Sequence, residues 1–152
     1  MRVSAKADYA VRAMIELAGS GEERPVKGDL MADSEDIPVR FLENILAELR
    51  HAGLVHSRRG TDGGYWLAKP ADQIAIADII RAADGPLATV HGEPAEELDY
   101  SDDVKALQDV WIALRANIRE VLETVTVADV AGGALPGRVR ELASQPDVRD
   151  PR

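Results

Sequence analysis

Residues 54–68 read LVHSRRGTDGGYWLA, and this stretch decides the fold. Two short runs with strand character, 54–57 and 65–68, flank a glycine-rich tip that carries Arg58 and Arg59. Such runs joined by a glycine-rich connection predict a β-hairpin. Glycines beside paired arginines let the backbone approach a phosphate or enter a groove of DNA. The hairpin therefore has the features of a DNA-binding wing.

Two predicted helices joined by a tight turn precede this hairpin. The first covers 26–33, and the turn at 34–38 ends in a proline that suits the first turn of the next helix. That next helix ends at Gly53. A helix-turn-helix followed by a wing is much more specific than either motif alone. One face of the second helix is apolar, formed by Phe41, Leu42, Ile45, Leu46 and Leu49.

The sequence outside this motif predicts further helices and one acidic segment. Apolar residues recur every three or four positions over 4–18, and a fourth helix is predicted for 74–83. The segment 87–103 contains a glycine and a proline and no Lys or Arg, which indicates a surface loop. Its six acids are Glu93, Glu96, Glu97, Asp99, Asp102 and Asp103.

A long amphipathic helix is predicted after the acidic segment. Its apolar seam has an alternating spacing of three and four, which requires an apolar partner. The same helix of a second subunit is the simplest partner, and packing on the chain's own N-terminal helices is the alternative. A short helix at 126–131 follows. The seam consists of Val104, Leu107, Trp111, Leu114, Ile118, Val121 and Val125.

Charge and cysteine content narrow the class of function. The net charge is -9, which is unusual for a protein that binds phosphates. Residues 1–70 nevertheless have ten Lys and Arg against eleven Asp and Glu, and 71–152 have eight against sixteen. The absence of cysteine excludes disulfides and thiolate metal sites. No secretory signal or membrane-spanning run is evident, so we expect a cytoplasmic protein.

The ordered motifs of residues 1–85 resemble the Rrf2 family of bacterial transcription regulators. The family includes members that sense through an iron–sulfur cluster and members without a cluster. The resemblance implies a winged helix-turn-helix domain, dimerisation through a long helix, and binding to double-stranded DNA at palindromic operators. It rests on MRVSAK at 1–6, Tyr9-Ala10, Arg12-Ala13, Phe41-Leu42-Glu43, Ile45-Leu46, Leu49-Arg50, Ala52-Gly53-Leu54-Val55, Ser57 to Gly60, Gly63-Gly64-Tyr65 and Leu67-Ala68.

The resemblance also implies which residues contact DNA. The third helix would read the major groove, because Arg, Asn and Glu side chains can bond guanine, adenine and cytosine edges. Arg59 would enter the minor groove. Phosphate contacts would come from Ser57, Arg58, Thr61, Gly63 and Gly64, with Arg2 and Lys6 near the backbone. The major-groove candidates are Pro38, Val39, Arg40, Glu43 and Asn44.

The chain departs from the cluster-sensing members in its sensor region. Those members have three cysteines there, whereas residues 90–97 read VHGEPAEE. Asp8 occupies a position that some relatives use as a ligand, but without thiolates it cannot hold a cluster with His91. We therefore predict no cofactor and no metal site; a divalent cation bound by His91 with Glu93, Glu96 or Asp99 is the less favoured alternative to a solvated acidic loop. A small-molecule effector beside Trp111, a protein effector, or no effector are the remaining possibilities.

These observations predict a mostly α-helical protein with a small β-hairpin wing. The predicted parts are the winged helix domain at 1–85, the acidic sensor-region loop at 86–103, the dimerisation helix with a short helix at 104–135, and a tail at 136–152. We expect a dimeric DNA-binding regulator, most simply a repressor. A protein-interaction module that lost DNA binding is the alternative. An enzyme is disfavoured, because adjacent His56 and Ser57 on a strand point to opposite faces.

Overall fold

The computed structural model describes residues 2–151, and its architecture is mostly helical with one two-stranded sheet, as predicted. Short 3-10 turns lie at 17–19, 71–73, 95–97, 102–104 and 146–149. The main elements are α1 Ala5–Glu16, α2 Gly28–Glu35, α3 Val39–His51, β1 Val55–Arg58, β2 Gly64–Leu67, α4 Ile76–Asp84, α5 Ala106–Leu122, α6 Val127–Ala131 and α7 Gly137–Ser144.

The core lies where α1 packs against α3 and α4. The apolar stripe of α1 is buried there because one face of an amphipathic helix has to leave water. Ser4 starts α1: its hydroxyl accepts a hydrogen bond from the amide of Ala7 at 2.9 Å. The same hydroxyl donates to Asp84 at 2.5 Å, which links the start of α1 to the end of α4. Completely buried core side chains include Met14, Leu17, Leu42, Ile45, Leu46, Leu49 and Ile79.

The turn between α2 and α3 fixes the angle of the helix-turn-helix. Asp36 ends α2 in the left-handed conformation, with a φ of 53°. The next residue, Ile37, is only 4% exposed and holds the turn against the core. Pro38 caps α3 in extended geometry, consistent with the preference for proline at helix starts. These residues place the outer face of α3 on the surface beside the wing.

The second helix begins at Gly28, later than predicted, because Val26 belongs to the wing instead. The amide of Val26 donates to the carbonyl of Tyr65 at 2.8 Å, and Tyr65 donates back at 2.7 Å. Val26 is thus a one-residue extension of the sheet at the edge of β2. This pairing connects residues far apart in the sequence. The wing is therefore supported along both edges of β2.

Gly64 makes the close approach of Val26 possible, and Gly63 makes the tight hairpin possible. A Cβ on Gly64 would lie 2.6 Å from the carbonyl oxygen of Val26, and the φ of Gly64 is +150°. A Cβ on Gly63 would lie 2.1 Å from the carbonyl oxygen of Arg58. Only glycine fits at such distances. Gly63 and Gly64 therefore have a structural role in the hairpin, besides any role at its surface.

The long helix α5 is shorter than the predicted seam, and the first and last seam residues lie outside it. Val104 lies in a 3-10 turn before α5, and Val125 follows its end. Val125 is 6% exposed and packs into the core of its own chain, where its carbonyl accepts from the amide of Ile76 at 2.9 Å. Ile118 is also buried. The C-terminal part of the seam therefore packs on its own chain, and Val104, Leu107 and Leu114 in its N-terminal part are exposed.

The last helices return to the N-terminal part of the fold. Thr126 and Asp129 form a reciprocal capping box that starts α6. The helix then packs against α1. The segment 136–152, described from the sequence as a tail, contains the helix α7. Within residues 2–151, no helix has the combination of length and apolar character that crossing a bilayer requires.

Candidate nucleic-acid interface

The outer face of α3 is a polar surface next to the wing. Its inner residues fill the core, so the residues between them must face outward. Arg40, Glu43 and Asn44 are exposed, and no side-chain hydrogen bond or ion pair within residues 2–151 involves them. Val39 is 45% exposed at the start of the helix. This face offers donors, acceptors and one apolar group, the chemistry that reads base edges in a major groove.

The two arginines of the wing have different surroundings. The Arg58 guanidinium donates to the carbonyl oxygens of Glu22 at 3.2 Å and Asp62 at 3.1 Å. It also lies over the ring of Trp66, 5.9 Å from the centroid. Arg59 is exposed, and within residues 2–151 its guanidinium has no hydrogen-bond or ion-pair partner. Arg58 therefore stabilises the wing, and Arg59 is available at its tip.

A cation-rich cleft of about 420 Å³ separates the wing from the helix-turn-helix. Its lining includes Lys27 at the start of α2, Arg50 at the end of α3, and the two wing arginines. Asp29 is the only carboxylate in the lining. In a protein with a net charge of -9, this cleft concentrates positive charge where a phosphate backbone would pass. We name it the wing cleft.

The other predicted phosphate contacts are only partly available. Ser57 accepts a hydrogen bond from Arg50 at 3.1 Å, which ties β1 to the end of α3. The amide of Gly63 already donates to the carbonyl of Gly60 at 3.0 Å, so it cannot also hold a phosphate. Thr61 is exposed at the tip. The wing therefore offers side chains more than backbone amides.

The two N-terminal cations lie away from the wing cleft. The Lys6 ammonium lies 2.7 Å from a carboxylate oxygen of Glu48, so its charge is already paired. Arg2 is exposed and lines a small cavity with residues of α4 and α5. The structure thus brings α3 and the wing together and leaves Arg2 and Lys6 outside that group.

Lys27 and Arg50 are two candidates that the sequence reasoning missed. Their positions next to the helix-turn-helix could have indicated them: Lys27 directly precedes α2, and Arg50 lies in the last turn of α3. In helix-turn-helix proteins the helix before the recognition helix crosses the DNA backbone, which makes Lys27 a candidate phosphate contact. Neither could be assigned from the sequence alone, because the wing has to fold back before the cleft exists.

The N-terminal part of α5 has an apolar surface. Leu107, Val110 and Leu114 are 36%, 54% and 43% exposed, with Val104 before them at 48%. Trp111 is half-buried, and its indole N–H donates to the Tyr100 hydroxyl at 3.1 Å. We name this surface the α5 face, formed by Val104, Leu107, Val110, Trp111 and Leu114. An exposed patch of this kind marks an interaction surface.

Together, the helix pair, the wing and the basic cleft define a DNA-binding transcription regulator of the winged helix-turn-helix class. A family model described as "Iron-dependent Transcriptional regulator" matches residues 3–133. The chain belongs to this family, the Rrf2 family. The family consists of regulators and not of enzymes.

Relatives and solved structures agree with this membership. The "Putative HTH-type transcriptional regulator Rv1287" of Mycobacterium tuberculosis is 54% identical over 94% of this chain and 89% of its own length. CymR of Bacillus subtilis, described as the global cysteine regulator, has a solved structure with a TM-score of 0.74 and 34% identity, over 88% of this chain and 98% of that chain. IscR of T. potens has a TM-score of 0.70 and 34% identity, over 92% and 96%.

The family description mentions iron, and the residues of this chain do not fit an iron–sulfur cluster. The sequence has no cysteine. Asp8 is instead 3.6 Å from the guanidinium of Arg12, and His91 is exposed in a tight turn. Throughout residues 2–151, no three His, Asp or Glu side chains are grouped closely enough to hold a metal ion.

Proposed function

We propose that this protein is a homodimeric repressor that binds a palindromic operator through α3 and the wing. The observation that carries the proposal is the position of the unpaired polar face of α3 beside the wing cleft, on one side of the molecule. Base edges in a groove and the phosphates that border it lie on the same side of a duplex, so one face of the protein can contact both. Repression follows if the bound protein occludes the promoter.

Within this proposal, α3 reads sequence. Arg40 donates to guanine, Asn44 pairs with adenine, and Glu43 accepts from cytosine. Val39 packs against a thymine methyl group. Pro38 sets the start of the helix and therefore its depth in the groove. Each of these side chains is exposed, so each can approach a base without breaking the core.

The wing and its cleft supply affinity. Arg59 enters the minor groove, where a narrow A·T-rich segment has a strong negative potential. Lys27 and Arg50 bind phosphates on either side of the cleft, and Thr61 and the Gly64 backbone lie close to the sugar-phosphate chain. Each phosphate contact releases counterions, which makes binding steeply dependent on salt.

Dimerisation occurs through the α5 face. A two-fold axis beside the α5 face would bury Leu107, Val110 and Leu114 against the same surface of a second copy, an isologous contact. Two recognition helices would then meet half-sites about one helical turn, roughly 34 Å, apart. Ile118 and Val125 are not part of this interface, because they are buried within their own chain.

The proposal is tested by in vitro transcription from the promoter of the gene's own operon. Purified protein should reduce transcript yield at a concentration that also shifts the promoter fragment in a gel. The Arg59→Ala variant should require a higher concentration for both effects. An increase in transcript would overturn repression and leave DNA binding in place. A salt-independent association with another protein, without any DNA affinity, would favour the interaction-module alternative.

A further inference from the structure

Three arginines line a second cleft. All of its lining residues follow the helix-turn-helix and the wing in the sequence. The cleft has a volume of about 520 Å³ and lies between the end of α4, the turn after it, and α5. Arg81, Arg115 and Arg119 line it, together with the single carboxylate Glu96. The lining is thus rich in arginine in a chain whose second half is strongly acidic. We name it the arginine cleft.

The three arginines contact three carboxylates, those of Glu96, Glu123 and Asp78, but these contacts do not use all of the guanidinium N–H donors. One oxygen of Glu123 accepts from Arg119 at 2.9 Å and also from Arg81, so two guanidinium groups share one carboxylate. Arg81 has a further, longer contact of 3.7 Å with Asp78. A guanidinium offers five N–H donors. Donors therefore remain for another anion at this cleft.

Glu96 occupies the position of such an anion. Its carboxylate lies 2.7 Å from Arg115, whose side chain is only 22% exposed. Glu96 itself is 53% exposed, so it can turn away into solvent. The turn that carries it is held separately, because Gln108 donates to the carbonyls of Ala95 at 3.0 Å and Leu98 at 3.3 Å. Replacing Glu96 at Arg115 therefore leaves the segment attached to α5.

We propose that the arginine cleft binds a small organic anion, with a carboxylate or phosphate head group that replaces Glu96 at Arg115. A fork of guanidinium donors matches the geometry of both head groups. Pro86 and Leu87 add a short apolar wall for the body of the ligand. The volume is within the range of small-molecule sites. The cleft contains no residue of α3 or the wing, so the inference does not depend on the proposed DNA contacts.

The test is an NMR titration of the full chain that follows the arginine Nε–H signals at constant ionic strength. Succinate and inorganic phosphate are the two anionic probes, and neutral succinamide is the control. At least one anion should shift the signals of Arg115 and Arg119 saturably, and succinamide should not. The probe with the lower dissociation constant identifies the head group. No saturable shift with either anion would overturn the proposal.

Variants distinguish this site from general attraction of anions. Arg115→Gln should weaken binding by about tenfold or more, the usual loss for a charge-assisted hydrogen bond. Glu96→Gln should strengthen binding several-fold, because it removes the internal competitor. Arg140→Gln removes a charge from α7 and should have no effect. Weaker binding by Glu96→Gln, or equal losses in Arg115→Gln and Arg140→Gln, would contradict the proposal. Unchanged backbone spectra serve as the folding control.

Discussion

Adjacent arginines at the wing are expected to differ in what they do. Arg58 is held by two backbone carbonyls and the face of Trp66, whereas Arg59 projects from the tip. Arg59→Ala should therefore reduce DNA affinity by about 1–3 kcal/mol without changing the unfolding midpoint. Fluorescence anisotropy at fixed salt and urea unfolding measure the two effects. Arg140→Ala, on α7, is the charge-matched control and should bind DNA normally.

Substitutions of Lys27 and Glu43 should change DNA binding in different ways, because Lys27 is expected to contact a phosphate and Glu43 a base. Lys27→Ala should weaken binding to all fragments alike and reduce the slope of log K against log salt by about 1. Glu43→Ala should change the preferred base at one position and leave that slope unchanged. Titrations at several salt concentrations, on matched fragments, separate these outcomes. Equal effects of both variants on all fragments would contradict the assigned roles.

The wing depends on the absence of a side chain at Gly64. A methyl group there would lie 2.6 Å from the Val26 carbonyl oxygen, and the backbone would have to move. Gly64→Ala should lower the free energy of unfolding by about 1–3 kcal/mol. Gly21→Ala is the control, because a Cβ at Gly21 has no neighbour within 4 Å. Urea denaturation measures both variants, and equal stabilities would contradict this account of the wing.

The α5 face should control association. Val110→Glu places a charge in the middle of the proposed interface, so it should shift the protein from dimer to monomer in light scattering. Val148 has the same exposure, 54%, but lies in the C-terminal turn. Val148→Glu is therefore a matched control that should remain dimeric. A dimer that persists in Val110→Glu would place the subunit contact elsewhere.

Local sequence patterns predicted the elements better than their contacts. The spacing of Leu42, Ile45 and Leu49 predicted a buried face on α3, and all three are completely buried. Periodicity did not reveal that Val26 pairs with Tyr65, or that Val125 packs on its own core, because both depend on contacts distant in sequence. The same reason explains why periodicity did not predict that the N-terminal part of the seam is exposed and its C-terminal part is buried.

The candidate DNA site shows a similar limit. Arg40, Glu43 and Asn44 were predicted to face outward, and they are exposed. The sequence assigned Arg58 to a phosphate, and its contacts within the wing could not be predicted, because they depend on the Glu22 carbonyl brought near by folding. Lys27 and Arg50 became candidates only when the wing cleft was visible.

Ion pairs between α4 and α5 should make the whole fold sensitive to acid. Hydrogen bonds from Arg81 and Arg119 lower the pKa of Glu123. A carboxyl group with a lowered folded-state pKa contributes stability above its unfolded pKa of about 4.3, and this contribution is lost as the pH falls through the folded pKa. Between about pH 5 and pH 3, the wild type should therefore lose more stability than Glu123→Gln. Urea unfolding across this range tests the difference, and parallel losses would contradict it.

The charge of the whole molecule restricts how it can approach DNA. The net charge is -9, and the acids are concentrated after residue 70. Electrostatic repulsion should therefore keep the C-terminal half away from the duplex, while the wing cleft faces it. Non-specific binding should be weak at moderate salt. We therefore expect a regulator whose DNA affinity depends on base contacts and DNA shape more than on general electrostatic attraction.

The most direct test of the central claim is selection of DNA fragments from a random pool by the purified full-length protein. We predict enrichment of a palindromic site whose two half-sites are centred about one helical turn apart. We also predict that Arg59→Ala loses preference at an A·T-rich position between or beside the base contacts. Recovery of no common sequence, or the same enrichment by a variant with Arg40, Glu43 and Asn44 all changed to Ala, would contradict the claim.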